Sequence, residues 1–286
     1  MTFRLFCFGL GYSALVLARR CLAAGWTVAG TARDPGHLAR LADLGIDTIL
    51  FDRQHPLPDG ALEGATHLLV SVPPDEQGDV VLDMARPAIL AAGAHLSWVG
   101  YLSTTGVYGD HGGDWVDEDS PLRPVSQRSW RRVRAEAQWL DLARGHGLAA
   151  HVFRLAGIYG PGRNVLDDVR AGRALRVIKP GQVFSRIHVE DIATVLEASM
   201  ACPAAGTIYN VCDDEAAPPQ DVIAHACRLL GAPLPPEVPF AEAKLSPMAK
   251  SFWADNRRVR NNRIRQGLGV SLAYPTYREG LASLLP

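Results

Sequence analysis

The sequence predicts an α/β fold, a doubly wound parallel sheet with a smaller C-terminal region, on three observations. Short apolar runs alternate with helically periodic segments through most of the first half. The first run passes straight into a Gly-x-Gly-x-x-Ala loop, and beyond Gly160 the alternation loosens into proline-rich and basic stretches. Regular strand-helix alternation implies crossover helices that cover both faces of a parallel sheet. With 286 residues, 48% of them hydrophobic, the chain has enough apolar surface for a substantial core.

In chain order, RLFCFG reads as a strand, YSALVLARRCLAAG as a helix closed by Gly25, and WTVAGTAR as a second strand. The helix repeats its apolar residues every three or four positions, whereas the strands are short apolar runs of the buried-sheet type. A helix follows near GHLARLADLG, then strands at DTILFD and THLLVSVP, and a helix from Asp79 to Ala92. HLSWVGYLS is the next strand, RSWRRVRAEAQWLDLARGHG a long helix, and AAHVFRLAG a further strand. Neither an internal repeat nor a low-complexity tract interrupts the series.

The loop FGLGYSA sets Gly9, Gly11 and Ala14 between the first strand and the first helix. Two glycines permit a tight turn and close approach of a pyrophosphate to the backbone, and a small third residue lets helix and strand pack. The helix N-terminus, at Tyr12 and Ser13, then faces the anion. This context predicts a dinucleotide site and a Rossmann-type sheet. Residues 1–158, rejoined by 187–212, are expected to form the dinucleotide-binding domain, with 159–186 and 213–286 forming a smaller substrate-binding region. A carboxylate about 20 residues beyond the loop would hold the ribose 2′-hydroxyl of NAD. Here the second strand ends in Arg33, whose guanidinium suits the 2′-phosphate of NADP. Asp34 keeps NAD open, although its place before Pro35 also reads as a turn. Asp52 is a candidate partner for the adenine amino group or, equally, a turn cap. Ser71, Val72 and Pro73, ending the fourth strand, are further cofactor-side candidates.

Lys and Arg total 29 against 30 Asp and Glu, a net charge of -1, so no global field favours nucleic acid. The N-terminal apolar stretch is too short to span a bilayer and runs into glycines, not a cleavage pattern, so a cytoplasmic protein with no membrane partner is expected. Cys7, Cys21, Cys202, Cys212 and Cys227 form no Cys-x-x-Cys pair. Buried free thiols are expected of them, and no metal site.

Further motifs resemble one family. YLSTTGVYGDHGGDWVDEDSPLRP, RLAGIYGPGRN, RIHVEDIA and YNVCDD occur in the order found in the extended short-chain dehydrogenases/reductases, which include nucleotide-sugar epimerases and dehydratases. NRRVRNNRIRQGLGVSLAYPTYREGL is similar to the ending of an atypical, uncharacterised subgroup of that family. The resemblance implies a Tyr-x-x-x-Lys pair on the long helix, where an ammonium one turn from a tyrosine lowers its pKa and holds the nicotinamide ribose. Aligning the family's glutamate with Glu136 puts Arg132 at the lysine and Arg128 at the tyrosine. Arginine stays protonated, so neither side chain trades protons readily, although Arg132 can still hold ribose or phosphate. Arg131 and Arg134 read as a solvated face.

The resemblance also implies a substrate-polarising hydroxyl at Thr104, beside Ser103 and Thr105, and nicotinamide contacts from Gly157 and Ile158. Ser103, Arg163, Asn164, Arg186 and His188 correspond to substrate-side positions. Tyr108, Tyr159, His111 and His188 are candidate replacement acids. Two functions follow as expectations. One is an NADP(H)-dependent oxidoreductase or epimerase acting on a nucleotide sugar or related carbonyl or hydroxyl compound through non-standard acid/base groups. The other is a catalytically inactive, redox-sensing protein that binds the dinucleotide. Family members commonly pair through helices beside the catalytic one, which implies a homodimer.

Overall fold

The computed structural model describes residues 3–285. The chain begins β1 (Arg4–Phe8), α1 (Tyr12–Ala23), β2 (Thr27–Ala32), α2 (Pro35–Ala42), β3 (Asp47–Leu50), β4 (His67–Val70), α3 (Val80–Ala92) and β5 (Trp98–Thr104). It continues through β6 (Trp115–Val116), α4 (Gln127–His146), β7 (Ala150–Leu155), β8 (Gly157–Tyr159), α5 (Val165–Arg170), β9 (Arg176–Ile178) and β10 (Arg186–His188). The last elements are α6 (Val189–Ala201), β11 (Ile208–Val211), α7 (Pro219–Leu230), β12 (Glu237–Pro239), α8 (Pro247–Trp253), β13 (Arg258–Val259), α9 (Asn262–Gly267) and α10 (Tyr277–Ala282).

Seven strands form one parallel sheet in the order β11-β7-β5-β4-β1-β2-β3, the doubly wound Rossmann-type arrangement. The order reverses between β1 and β4, and a ligand crevice in such sheets opens at the carboxyl ends of the strands flanking that switch. The glycine loop follows β1 at that point.

Two compact units divide the chain: Met1–Thr104 with Gln127–Arg154 and Ala193–Tyr209, and Thr105–Ser126 with Leu155–Ile192 and Asn210–Pro286. The first has a core of Phe6, Phe8, Leu68, Val70, Val99, Tyr101, Trp139 and Val152, contributed by the strands and by the buried faces of α3 and α4. Its central strands β1, β4, β5 and β7 are buried on both sides, which is why they read as unbroken apolar runs and not as alternating ones. Tyr159, Leu166, Val222, Tyr277 and Leu281 form one cluster of the second unit, and Val177, Ala243 and Trp253 another.

The observed division differs from the sequence boundaries in four stretches. Residues 105–126 belong to the second unit, because β6 pairs with β13 and the Asn210 amide donates to Glu118 Oε1 at 2.8 Å. Residues 155–158, 187–192 and 210–212 belong to it as well, while 193–209 belong to the first, where Arg20 donates to Thr194 at 3.1 Å and to Glu197 at 2.9 Å. Four cysteines are buried and free as expected, but Cys202 is exposed, because it lies just past the end of α6.

Candidate functional site

The glycine loop has the geometry a pyrophosphate needs. Gly9 has φ +85°, which disfavours a side chain, and a Cβ there would come within 2.9 Å of Val72 and 3.0 Å of the Ser71 hydroxyl. Its amide donates to Thr31 Oγ1 at 2.9 Å, while the Ser71 hydroxyl donates to its carbonyl, so the turn is tied to both neighbouring strands. Gly11 is exposed, with open space where a Cβ would stand, and Tyr12 and Ser13 open α1 behind it. Ala14 is fully buried, so a larger residue would push α1 off the sheet. Backbone and residues therefore fit a dinucleotide at this loop.

Beyond it, Arg33 is exposed and Asp34 caps α2, its carboxylate accepting the His37 amide at 2.7 Å. Asp52 behaves as the turn cap: Oδ1 accepts the amides of Gln54 at 2.7 Å and His55 at 3.0 Å. The Gln54 amide, with the His55 ring, holds its carboxyl below the usual range. Pro73 is exposed, and Ser71 and Val72 line the loop.

α4 carries the altered residues. Arg128 and Arg134 are exposed, and Arg131 lies 3.7 Å from the well-exposed Glu76. Arg132 instead turns onto β5: Nη1 donates to the Leu102 carbonyl at 2.6 Å and the Tyr101 hydroxyl at 3.1 Å, with the guanidinium 5.7 Å from the Tyr101 ring centre. Tyr101 is fully buried and stacks on Trp139 at 5.9 Å, and burial pushes its phenol above the usual range. Trp139 donates to Asp79 at 3.0 Å, the buried cap of α3, whose carboxyl burial raises.

One turn further, Glu136 accepts the Ser103 hydroxyl at 2.5 Å and Arg154 Nη2 at 2.8 Å, with both ionic side chains 3% exposed. Ser103 thus donates into the core and offers no hydroxyl to a substrate. Alternation along β5 puts Thr104, half-buried at the strand end, on the opposite face from Ser103. The sequence contained no sign of Tyr101 or Arg154, because each sits in an apolar stretch that reads only as core, and Asp79 read only as the start of a helix. The one available signal was Glu136, a carboxylate on a helix's apolar face.

In the second unit, most candidate acids are committed elsewhere. Tyr108 is fully buried and donates to Asn210 Oδ1 at 2.7 Å. Tyr159 packs so closely on Gly280 that a Cβ there would collide with its hydroxyl, which donates to the Thr276 carbonyl at 3.4 Å; burial raises its phenol. His188 is buried between Tyr159 and Tyr274, at ring distances of 5.2 and 4.0 Å, and burial lowers its pKa to about 4. His111 is half-exposed, but its Nε2 is buried and unbonded.

The substrate-side candidates divide similarly. Asn164 caps α5, accepting the Asp167 amide at 3.1 Å and donating to the Gly160 carbonyl at 3.1 Å. Arg186 donates to the carbonyls of Phe184 at 2.8 Å and Ala217 at 3.2 Å, and burial lowers its pKa. Asp213, whose amide donates to the Arg186 carbonyl at 2.7 Å, has its carboxyl pushed well up by burial. Arg163 and Gly157 are exposed and Ile158 is half-buried. Among the described residues, no cluster of three His, Cys, Asp or Glu side chains is arranged to hold a metal ion, and no helix is long and apolar enough to cross a membrane.

The sheet and loop define the class, a Rossmann-type protein built to hold a nicotinamide dinucleotide. Residues 9–212 match the sequence pattern of the NAD dependent epimerase/dehydratase family, and the chain belongs to that family. It is 31% identical over 215 residues to Protein YeeZ of Escherichia coli K12, covering 71% of this chain and 75% of that one. It is 33% identical over 181 residues to a 3-diazoavenalumate denitrifying reductase of a Streptomyces species. That match covers 58% of this chain and only 58% of the relative's length. Among solved structures, a functionally unknown conserved protein from Silicibacter pomeroyi is 53% identical, with a TM-score of 0.92 over 99% of this chain and 98% of that one. A dTDP-glucose 4,6-dehydratase from Bacillus anthracis, solved in complex with NAD, shares the fold at 17% identity, with a TM-score of 0.76 over 99% and 94%.

Proposed function

We propose that the protein is an NADP(H)-dependent oxidoreductase of this family, acting on a carbonyl, hydroxyl or comparably electrophilic small molecule without a tyrosine acid. The observation that carries this reading is the glycine loop, intact in conformation and packing, followed by a β2 that runs directly into an exposed Arg33. When bound, the nicotinamide supplies or accepts a hydride. Gly9, Gly11 and Ala14 admit the pyrophosphate, Tyr12 and Ser13 present the start of α1 to it, and Arg33 faces the adenosine side.

On the substrate side the chain supplies charge and shape more than protons. The hydroxyls of Ser103, Tyr108 and Tyr159 are hydrogen-bonded within the protein, and Arg132 is bonded to β5. Thr104, at the end of β5 where the family motif puts a substrate-polarising hydroxyl, is the residue we assign to that role. The nucleotide-sugar substrate implied by the family retains support from the exposed Arg163. We extend the proposal to a homodimer through the helices beside α4, supported by the exposed Trp130, and sedimentation as a monomer at micromolar concentration would remove it.

Fluorescence titration tests the cofactor assignment: NADPH is expected to bind at least about tenfold more tightly than NADH. Equal affinities would refute the NADP reading, and no binding of either would refute the dinucleotide reading. A redox-sensing role is a second reading, favoured by the internal bonding of those three hydroxyls. It predicts that bound NADPH survives a panel of aldehydes, ketones and nucleotide sugars unoxidised while proteolysis or partner binding differs between NADP and NADPH. Turnover of any panel member favours the enzyme.

A further inference from the structure

Two residues that no motif singled out lie on α2, which begins two residues after Arg33: His37 in its first turn and Arg40 in its last. The Nε2 of His37 lies 2.8 Å from the carbonyl of Leu10, the residue between the two loop glycines, and only a protonated nitrogen can bond there. That fixes the neutral ring's tautomer and leaves Nδ1 as an acceptor, which Arg40 Nη2 approaches at 3.4 Å. Arg40 Nη1 lies 3.8 Å from the point a Gly36 Cβ would occupy, so the guanidinium folds back over the first turn of the helix. His37 is thereby a strut, with one ring nitrogen on the pyrophosphate loop and the other on a guanidinium.

The local charge comprises Arg33 and Arg40 against Asp34, and Asp34 is already engaged by the helix amide it caps. A ribose 2′-hydroxyl gains little from two guanidiniums. A phosphate monoester, with a charge near -2 at neutral pH, gains charge-assisted bonds from each.

We propose that Arg40 and Arg33 form a clamp for the 2′-phosphate of NADP, and that His37 is the positioning residue that sets the clamp at a fixed offset from the pyrophosphate loop. The proposal rests on the NADP reading above and names the residues that would give it selectivity. It also explains why an imidazole stands on α2: its ring bonds in two directions at once, which an aliphatic residue cannot do.

The test uses 2′,5′-ADP and 5′-AMP, which differ only in the 2′-phosphate, in calorimetric titrations of the full chain alongside NADPH and NADH. Wild type is expected to favour 2′,5′-ADP over AMP by tenfold or more. Arg40→Ala is expected to lower affinity for 2′,5′-ADP by about tenfold and to leave AMP unchanged, the size of one charge-assisted bond. His37→Leu should produce a similar loss of the ratio, whereas His37→Gln, whose amide can donate to Leu10 and accept from Arg40, should restore most of it. Wild-type circular dichroism spectra and melting temperatures in each variant report an intact fold. If wild type prefers 2′,5′-ADP and NADPH but Arg40→Ala and His37→Leu keep the full preference, the clamp is wrong and the NADP reading stands. If wild type shows no preference, both fall.

Discussion

At the scale of single residues, the ion pair between Glu136 and Arg154 is the most exacting feature of the first unit. Both side chains are almost wholly buried, and the carboxylate also takes the Ser103 hydroxyl, so each charge depends on the others for solvation. Glu136→Ala would leave an uncompensated guanidinium in the core, a loss of about 3–5 kcal/mol of stability. Urea unfolding followed by circular dichroism measures it, and a loss below about 1 kcal/mol would mean that water reaches the pair. The double variant Glu136→Leu/Arg154→Met should recover much of the deficit, because a buried pair replaced by apolar residues of similar size is often neutral. Only half of this feature was legible in the sequence. Glu136 could be located from the family pattern of the helix, but Arg154 lies inside AAHVFRLAG, where an isolated charge reads as an interruption and its partner stands 18 residues away. Asn164 misleads in the opposite sense. A polar residue after a glycine-rich turn suggests a ligand contact, yet its amide is used to start α5.

At the scale of elements, α4 is divided between a docked edge and a solvated one, and the four arginines separate accordingly. Arg132→Ala removes two hydrogen bonds from a charged donor to the end of β5 and is expected to cost about 1.5–3 kcal/mol. Arg132→Lys should fall between that variant and wild type, since an ammonium lacks the planar fork that reaches both acceptors. Arg131→Ala and Arg134→Ala should each stay within about 0.5 kcal/mol, as surface charges do. Chemical denaturation of the four variants reads the division directly, and equal effects at all positions would mean that the helix docks by its apolar face alone. The large elements were legible because strand runs and helical repeats differ in period over many residues. The small sheets β6 with β13, β8 with β10 and β9 with β12 were not, because pairs of two or three residues contain no period. Contacts distant in sequence create them, and β6 with β13 is what carries residues 105–126 out of the first unit.

For the molecule as a whole, buried neutral histidines shape the response to acid, His67 and His151 in the first unit and His188 in the second. His67, packed among Trp26, Phe3 and Trp98, and His188, between two tyrosines, both have pKa values lowered by burial to about 4. An unfolded histidine titrates near 6.5. Between about pH 6.5 and 4 the unfolded chain therefore binds protons that the folded chain refuses, and stability must fall as pH falls through that window. Above it both states are neutral at these positions and the contribution is flat; below about pH 4 the folded rings charge too and the loss levels off. A penalty of the order of 1 kcal/mol per histidine at pH 5 would lower the melting temperature by roughly 2–4 °C each in a chain of this size. Carboxylates held low by their partners, such as Asp75 beside Arg53 with a pKa of about 2, titrate below that window in the folded chain and add their own loss at lower pH. Scanning calorimetry at pH 7.5, 6.5, 5.5 and 5.0 measures the slope. His67→Gln removes one titrating ring and should flatten the curve in part while lowering its plateau, since the amide packs less well among three aromatic rings. A melting temperature unchanged between pH 7.5 and 5.0 would mean that water reaches both imidazoles in the folded chain, and that the aromatic cages around them are open.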